Sequence, residues 1–328
     1  MSLDAAPDAA PTAAEPVVPA AALPRLSARQ GSDAWEIEKR QMALLLREAA
    51  PDAAWAVRLE AALARQRLLT QRDPDLAIYL LLQAAACELD RYSSHHAMLC
   101  ALVCELCARR FEWPEAEVDA LVRAALTMNL SMTATQDTLA RQATPLSAAQ
   151  REDVDSHAER SAALLAAAGV SDTLWIETVR LHHGVAASAA EAAPAERLAE
   201  LLKRVDVYTA RLSRRATREP TPPAIAARHA CLDAEGRPDA IGATLLRMLG
   251  LYPPGCFVQL ASGEVGIVIR RGAKAHTPVV AALRRDDGGL HLQPPRRDSA
   301  EPPHAVVCGV HAQSVRLNVN HLRALAAA

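Results

Sequence analysis

The chain has 328 residues, 36 of them basic and 38 acidic, for a formal net charge of −2. That balance provides neither a basic surface for nucleic acid nor a run of like charge for a membrane face, while the length suffices for one large domain or two ordinary ones. Aromatic residues make up only 3%, so the 51% apolar fraction rests heavily on alanine, the strongest helix former.

Residues 1–31 are rich in Ala and Pro, with Asp4 and Asp8 where an export signal would be positive, and read as a disordered tail. From Ser32 to Arg218 the pattern is helical almost throughout. Apolar spacing predicts helices over Asp33–Ala49, Ala53–Leu69, Pro74–Leu89, Ser94–Arg110, Glu115–Leu130, Ala148–Ala168, Asp172–His183 and Ala195–Arg215. Asp73 ahead of Pro74, Ser147, and Pro114 with Glu115 and Glu117 supply good N-terminal starts. Residues 219–239 carry several prolines and predict a linker with a helical turn near Ala224–Cys231. A short helix follows over Ala240–Leu249.

After Leu251 the texture changes. CFVQL, EVGIVIR, TPVVAAL, LHLQ, HAVVCGV and SVRLNV are short β-type runs, several bounded by turn signals such as Asp287–Gly288. The expected architecture is mainly α: a tail over 1–31, a helical domain over 32–250, and a small antiparallel β appendage over 251–328 that ends in a helical scrap. No stretch of about 18 unbroken apolar residues occurs, so no membrane span is expected. Seven cysteines without an export signal suit a reducing cytoplasm. Cys100, Cys104 and Cys107 fall at helical spacing and read as small core residues.

Chemistry gathers around WIETVRLHH, Trp175–His183, which ends in two adjacent histidines. A histidine at a helix C-terminus is favoured by the dipole alone. Further along, however, His96, His157 and Asp206 fall on other predicted helices, and an unpaired carboxylate near Leu202 and Val205 would be costly to bury. Imidazoles and a carboxylate on separate helices of one bundle are how helical proteins build a metal centre.

The order of these segments resembles the HD-GYP domain, a subgroup of the HD metal phosphohydrolases that hydrolyse cyclic di-GMP. The resemblance runs from about Tyr92 to Ile269, through YSSHHAMLCALV, AALTMNLSM, LSAAQREDVDSHAERSAALL, VRLHHG, RVDVYTARLSRR and LGLYPPGCFVQLASGEVGIVI. It implies an HD-type helical bundle with His96, His157, His182, His183 and Asp206 as metal ligands, His95 being an alternative to His96. It also implies that Arg215 and Arg218 meet substrate phosphates, a role suited to guanidinium forks. A solvated basic helix end is the other reading of those arginines.

Departures from the family are as informative. Where its eponymous His-Asp stands, this chain has Met128–Asn129, and a thioether with an amide cannot replace an imidazole with a bridging carboxylate. The family's lysine falls at Met132, its upstream glutamate at Tyr92, and the DGxGYP loop is replaced by Gly184–Pro194 without Asp or Tyr. The expected function is therefore an HD-GYP-like cytoplasmic signalling module, catalytically degraded, that binds a cyclic dinucleotide or a protein partner. The alternative is a metal-dependent phosphohydrolase with a reduced site. A single divalent ion (manganese, iron or zinc) is the cofactor expected of the remaining ligands, and none if the site is wholly degenerate.

Overall fold

The computed structural model describes residues 28–48, 51–184, 193–232 and 236–311. The chain is mainly helical and closes with a small antiparallel sheet. Residues 185–192 of the Gly184–Pro194 loop, the SVRLNV run, the C-terminal helical scrap and nearly all of the 1–31 tail lie outside the described residues. The first helix, α1 (Ala28–Leu46), begins inside the stretch expected to be tail. It packs against α2 (Ala53–Arg72), which Asp52 caps by accepting from Trp55 N at 2.7 Å; the Trp55 indole then donates to Leu45 O at 2.9 Å.

Helix α3 (Pro74–Cys87) starts on the Asp73 cap with Pro74 in its first turn. The IYLLL run is buried on all sides, so this helix is an interior rod rather than a surface one. Helix α4 (Tyr92–Arg110) is buried along most of its length as well. It lies at the centre, in contact with α1, α3, α5 (Glu115–Thr127), α6 (Thr133–Arg141), α9 (Pro194–Leu212) and α11 (Ala240–Leu249). Helix α7 (Ala148–Ala167) opens on a capping box made by Ser147 and Gln150, and α8 (Thr173–Leu181) opens on Asp172. Helix α10 (Pro223–Cys231) packs on α9.

Several boundaries correct the sequence reading. The helix expected over Glu115–Leu130 stops at Thr127, and a 3-10 turn, Leu130–Met132, follows. The helix expected to end at His183 stops at Leu181. Helix α6 was not foreseen; it is short, with three threonines and Asp137 among its nine residues, and tertiary contacts hold it. Its Asp137, 2% exposed, accepts from Ser93 N at 2.8 Å and from Arg47 Nε at 3.1 Å, tying α6 to α4 and α1. Asp137→Ala strands the Ser93 amide and removes the charge-assisted bonds, an expected loss of about 2–3 kcal/mol measurable by urea unfolding.

The sheet runs β4-β3-β2-β1-β5, every pair antiparallel, with β1 Phe257–Leu260, β2 Val265–Arg270, β3 Val279–Arg284, β4 Arg296–Asp298 and β5 Val306–Val310. No strand forms over LHLQ: Leu290 makes one isolated bridge to Arg284, and Leu292 is 95% exposed. Pro294 and Pro295 lack amide donors, so the ladder resumes only at the polar edge strand β4. Phe257, Val265, Ile267, Ile269, Ala281 and Leu283 join the same apolar core as the helices. The opposite face gathers Val258, Leu260, Val268 and Val280 beneath Tyr252. The YPPG segment makes the seam, where Gln83 Nε2 donates to Gly255 O at 2.5 Å and Gly255 N to Val268 O at 2.8 Å. Gly255 has φ +98°, and an added Cβ would stand 3.1 Å from Tyr79 O, so only glycine suits this position. Among the described residues no helix is long and apolar enough to cross a membrane.

Candidate metal centre

Three imidazoles meet where α7 packs on the end of α8. His157 projects from the middle of α7, while His182 and His183 are the first two residues beyond α8. His157 Nε2 lies 3.2 Å from His182 Nε2 and 3.2 Å from His183 Nε2. His157 and His182 are buried, and His183 is exposed, so the cluster opens to solvent on one side.

The backbone fixes the tautomers. His157 Nδ1 is 2.6 Å from Val154 O, and His182 Nδ1 is 2.6 Å from Val179 O. A carbonyl can only accept, so both Nδ1 atoms carry hydrogen, and in neutral rings both Nε2 atoms present bare lone pairs to each other. Burial first, and then the neighbouring imidazoles, holds the His182 pKa down to about 3. Burial likewise lowers that of His157, with His183 adding to the effect. A proton therefore does not readily settle between them, and a divalent cation satisfies the same lone pairs. Two imidazole nitrogens about 2.05 Å from a tetrahedral ion stand about 3.3 Å apart, close to the observed 3.2 Å. This donor set fits a cation.

A second cluster forms between α4 and α9. His96 Nε2 is 2.7 Å from Asp206 Oδ1, and Cys100, one helical turn on, places Sγ 3.7 Å from His96 Nε2. Burial works against charge on both His96 and Asp206, yet each offsets it for the other. The His96 pKa is raised, by Cys100 and by the hydrogen bond to Asp206, and that of Asp206 is lowered by the His96 bond. Without a cation these two groups form an ion pair. The Asp206 carboxylate also feels the charges of His182 and His183, so the two clusters are electrostatically linked. His95 is directed elsewhere, 3.8 Å from Glu88 Oε2, which leaves His96 as the histidine of this cluster.

Arg215 connects to the second cluster through Tyr92. Its guanidinium carbon lies 5.5 Å over the Tyr92 ring, which stacks on His96 with centroids 5.8 Å apart. The loop beyond α9 is fixed through its main chain. Arg214 N donates to Ala85 O at 3.0 Å, Ala216 N to Ala140 O at 2.7 Å, and Arg215 and Arg218 exchange backbone bonds. Arg218 is exposed, with Nη2 on Ala210 O at 2.7 Å. Among the described residues no carboxylate pairs with either side chain.

Met128 is fully buried in the apolar core, and Asn129 is 8% exposed. Their turn is pinned beside α7: Ser131 Oγ donates to His157 O at 3.1 Å, and Ser131 N to Ser161 Oγ at 3.1 Å. Sequence reasoning took Cys100 for a core residue and missed its place beside His96. The available signal was the spacing of four from that histidine. The chain matches no family model, no curated protein and no solved structure.

Proposed function

We propose that this protein is a signalling module built on an HD-type bundle, of HD-GYP kind. In this reading it is cytoplasmic, holds a divalent cation on His157, His182 and His183, and binds a cyclic dinucleotide without efficient turnover. The observation that carries the reading is His157 Nε2 standing 3.2 Å from the Nε2 of both His182 and His183, with two of the rings locked by Val154 O and Val179 O into the ligating tautomer. Reduced turnover is inferred from Met128 and Asn129, a thioether in the core and an amide, where a bridging carboxylate would offset the charge of two ions.

In this scheme Arg215 and Arg218 meet the ligand's phosphates, and Tyr92 holds the Arg215 guanidinium next to His96. A cation on the three imidazoles supplies Lewis acidity toward a phosphoryl oxygen. Calorimetric titration of the untagged, manganese-loaded chain with cyclic di-GMP is expected to give saturable binding. Arg215→Ala is expected to weaken it by roughly tenfold to a hundredfold. Absence of heat at high dinucleotide concentration would remove the nucleotide and leave a protein partner.

A second reading, a phosphohydrolase with a reduced site, is favoured by the exposure of His183. Three nitrogen ligands with one side open leave room for a water or substrate oxygen. Its test is turnover of cyclic di-GMP and of a generic phosphodiester with manganese, iron or zinc. Equal rates for the wild type and His182→Ala would eliminate it.

A further inference from the structure

The second cluster contains a donor that neither the bridging-carboxylate pattern nor the histidine trio uses. Cys100 is fully buried, with Sγ 3.7 Å from His96 Nε2 and 3.1 Å from Thr209 Oγ1. The Thr209 hydroxyl is committed as a donor to its own helix, 2.9 Å from Val205 O, so its oxygen accepts from the thiol and orients it. The Cys100, His96 and Asp206 ligand atoms all lie within 4.8 Å of one another. A nitrogen and a thiolate sulfur bound to one tetrahedral ion stand about 3.6 Å apart, near the observed 3.7 Å. The 2.7 Å between His96 and Asp206 is a hydrogen-bond distance, which must widen by a few tenths of an ångström when the shared proton leaves.

From this geometry we infer that His96, Cys100 and Asp206 form a second cation position in which a cysteine thiolate takes over the charge-balancing role of the carboxylate replaced at Asn129. The inference rests on the reading of the bundle as a metal-holding module, but it concerns different atoms. Cys100 and Asp206 together bring two negative charges to a dication, where Asp206 alone would bring one. Filling the position releases the Cys100 thiol proton and the proton His96 shares with Asp206, both to solvent. Access is through Asp206, whose side chain is 18% exposed while His96 is 2%. A sulfur ligand favours zinc, cobalt or ferrous iron over manganese and magnesium, which an all-oxygen and nitrogen site would accept.

The test uses the full, untagged chain stripped with chelator and titrated with cobalt(II). Two equivalents are expected, with a thiolate-to-cobalt charge-transfer band in the near ultraviolet. Cys100→Ser should lose that band and bind the second equivalent at least tenfold more weakly. Cys104→Ser, a buried thiol one turn further along the same helix, should retain both. His182→Ala should lose the other equivalent and keep the band. If Cys100→Ser proves unfolded by circular dichroism, Asp206→Asn is expected to bind the second equivalent, and with it to develop the band, at least tenfold more weakly. One equivalent bound without any charge-transfer band overturns the thiolate site and leaves the histidine trio standing, as does a band that survives in Cys100→Ser. No cobalt bound at all overturns both.

Discussion

His182→Ala is expected to abolish the stabilisation that manganese gives the wild type, and to lower cation affinity at the trio by on the order of a hundredfold or more. The wild-type gain follows from mass action: a cation at about 100 times its dissociation constant adds about 2.7 kcal/mol, on the order of 4–5 °C in melting temperature for a chain of this size. The variant should melt at the same temperature with and without manganese, an ion that the all-nitrogen trio accepts and a sulfur-containing position disfavours.

The metal-free variant should behave in a second, opposite way. The buried His182 favours its neutral form, with a pKa near 3, so between about pH 6.5 and pH 3 the unfolded chain binds more protons than the folded one. Its contribution is complete above the unfolded value and is lost as the pH falls through that window. Removing the ring deletes this part of the acid destabilisation, so the metal-free variant should lose less stability on acidification than the metal-free wild type. Scanning calorimetry at pH 7 and pH 5, with manganese and with chelator, reads both effects. A purely structural histidine would show the pH effect without the manganese effect.

The next largest effect is expected in the sheet. Glu264 is 7% exposed and accepts two bonds from Arg297, both at 3.0 Å, with His291 Nε2 at 3.0 Å and the Ser262 hydroxyl at 3.0 Å completing its shell. The Arg297 bonds are the main cause that brings its carboxyl down to about 2, against burial, which pushes it up. The folded state thus favours the ionised form, and the stabilisation is complete above the unfolded carboxyl range, near 4.5, and lost as the pH falls toward 2. The shift corresponds to about 3 kcal/mol at neutral pH. Glu264→Gln should therefore destabilise the chain by about 2–3 kcal/mol at pH 7, since Arg297 can partly rehydrate. The gap between the two proteins should stay flat from pH 8 to pH 5 and narrow below pH 4.5. Urea midpoints across that range decide it; a gap that does not change with pH would mean that packing, not charge, is responsible.

Most helices could be read from the sequence because their starts are chemical. Asp73 with Pro74, Ser147 with Gln150, and Asp172 each offer a side-chain acceptor to the first-turn amides, and the structure uses all three. The change of texture after Leu251 likewise marks where helices give way to the antiparallel sheet. What escaped was set by tertiary context. TATQDTLAR mixes three threonines and an aspartate with better helix formers over only nine residues, and α6 is fixed there by Asp137, anchored to Ser93 and Arg47. The Arg296–Asp298 strand is polar because it lies at an edge, so no alternation betrays it. At the candidate site, the proximity of His182 and His183 was visible in the sequence, and their meeting with His157, 25 residues away, could be expected only through resemblance. Cys100 was invisible for a different reason. On a helix buried all round, a thiol among Met98, Leu102 and Val103 looks like any other small apolar group until Asp206, from α9, arrives beside it.

The chain carrying Arg215 and Arg218 is stitched to Ala85 and Ala140 by amides and carbonyls, so its path past Arg215 does not depend on the guanidinium there, whereas Arg218 also holds Ala210 O through its side chain. Specificity there can drift by single codon changes, guanidinium to ammonium or to a neutral group, while the scaffold underneath keeps its shape. Position 215 works as a socket whose fitting is interchangeable, so variants that swap ligands can be sought there first, with little risk to folding.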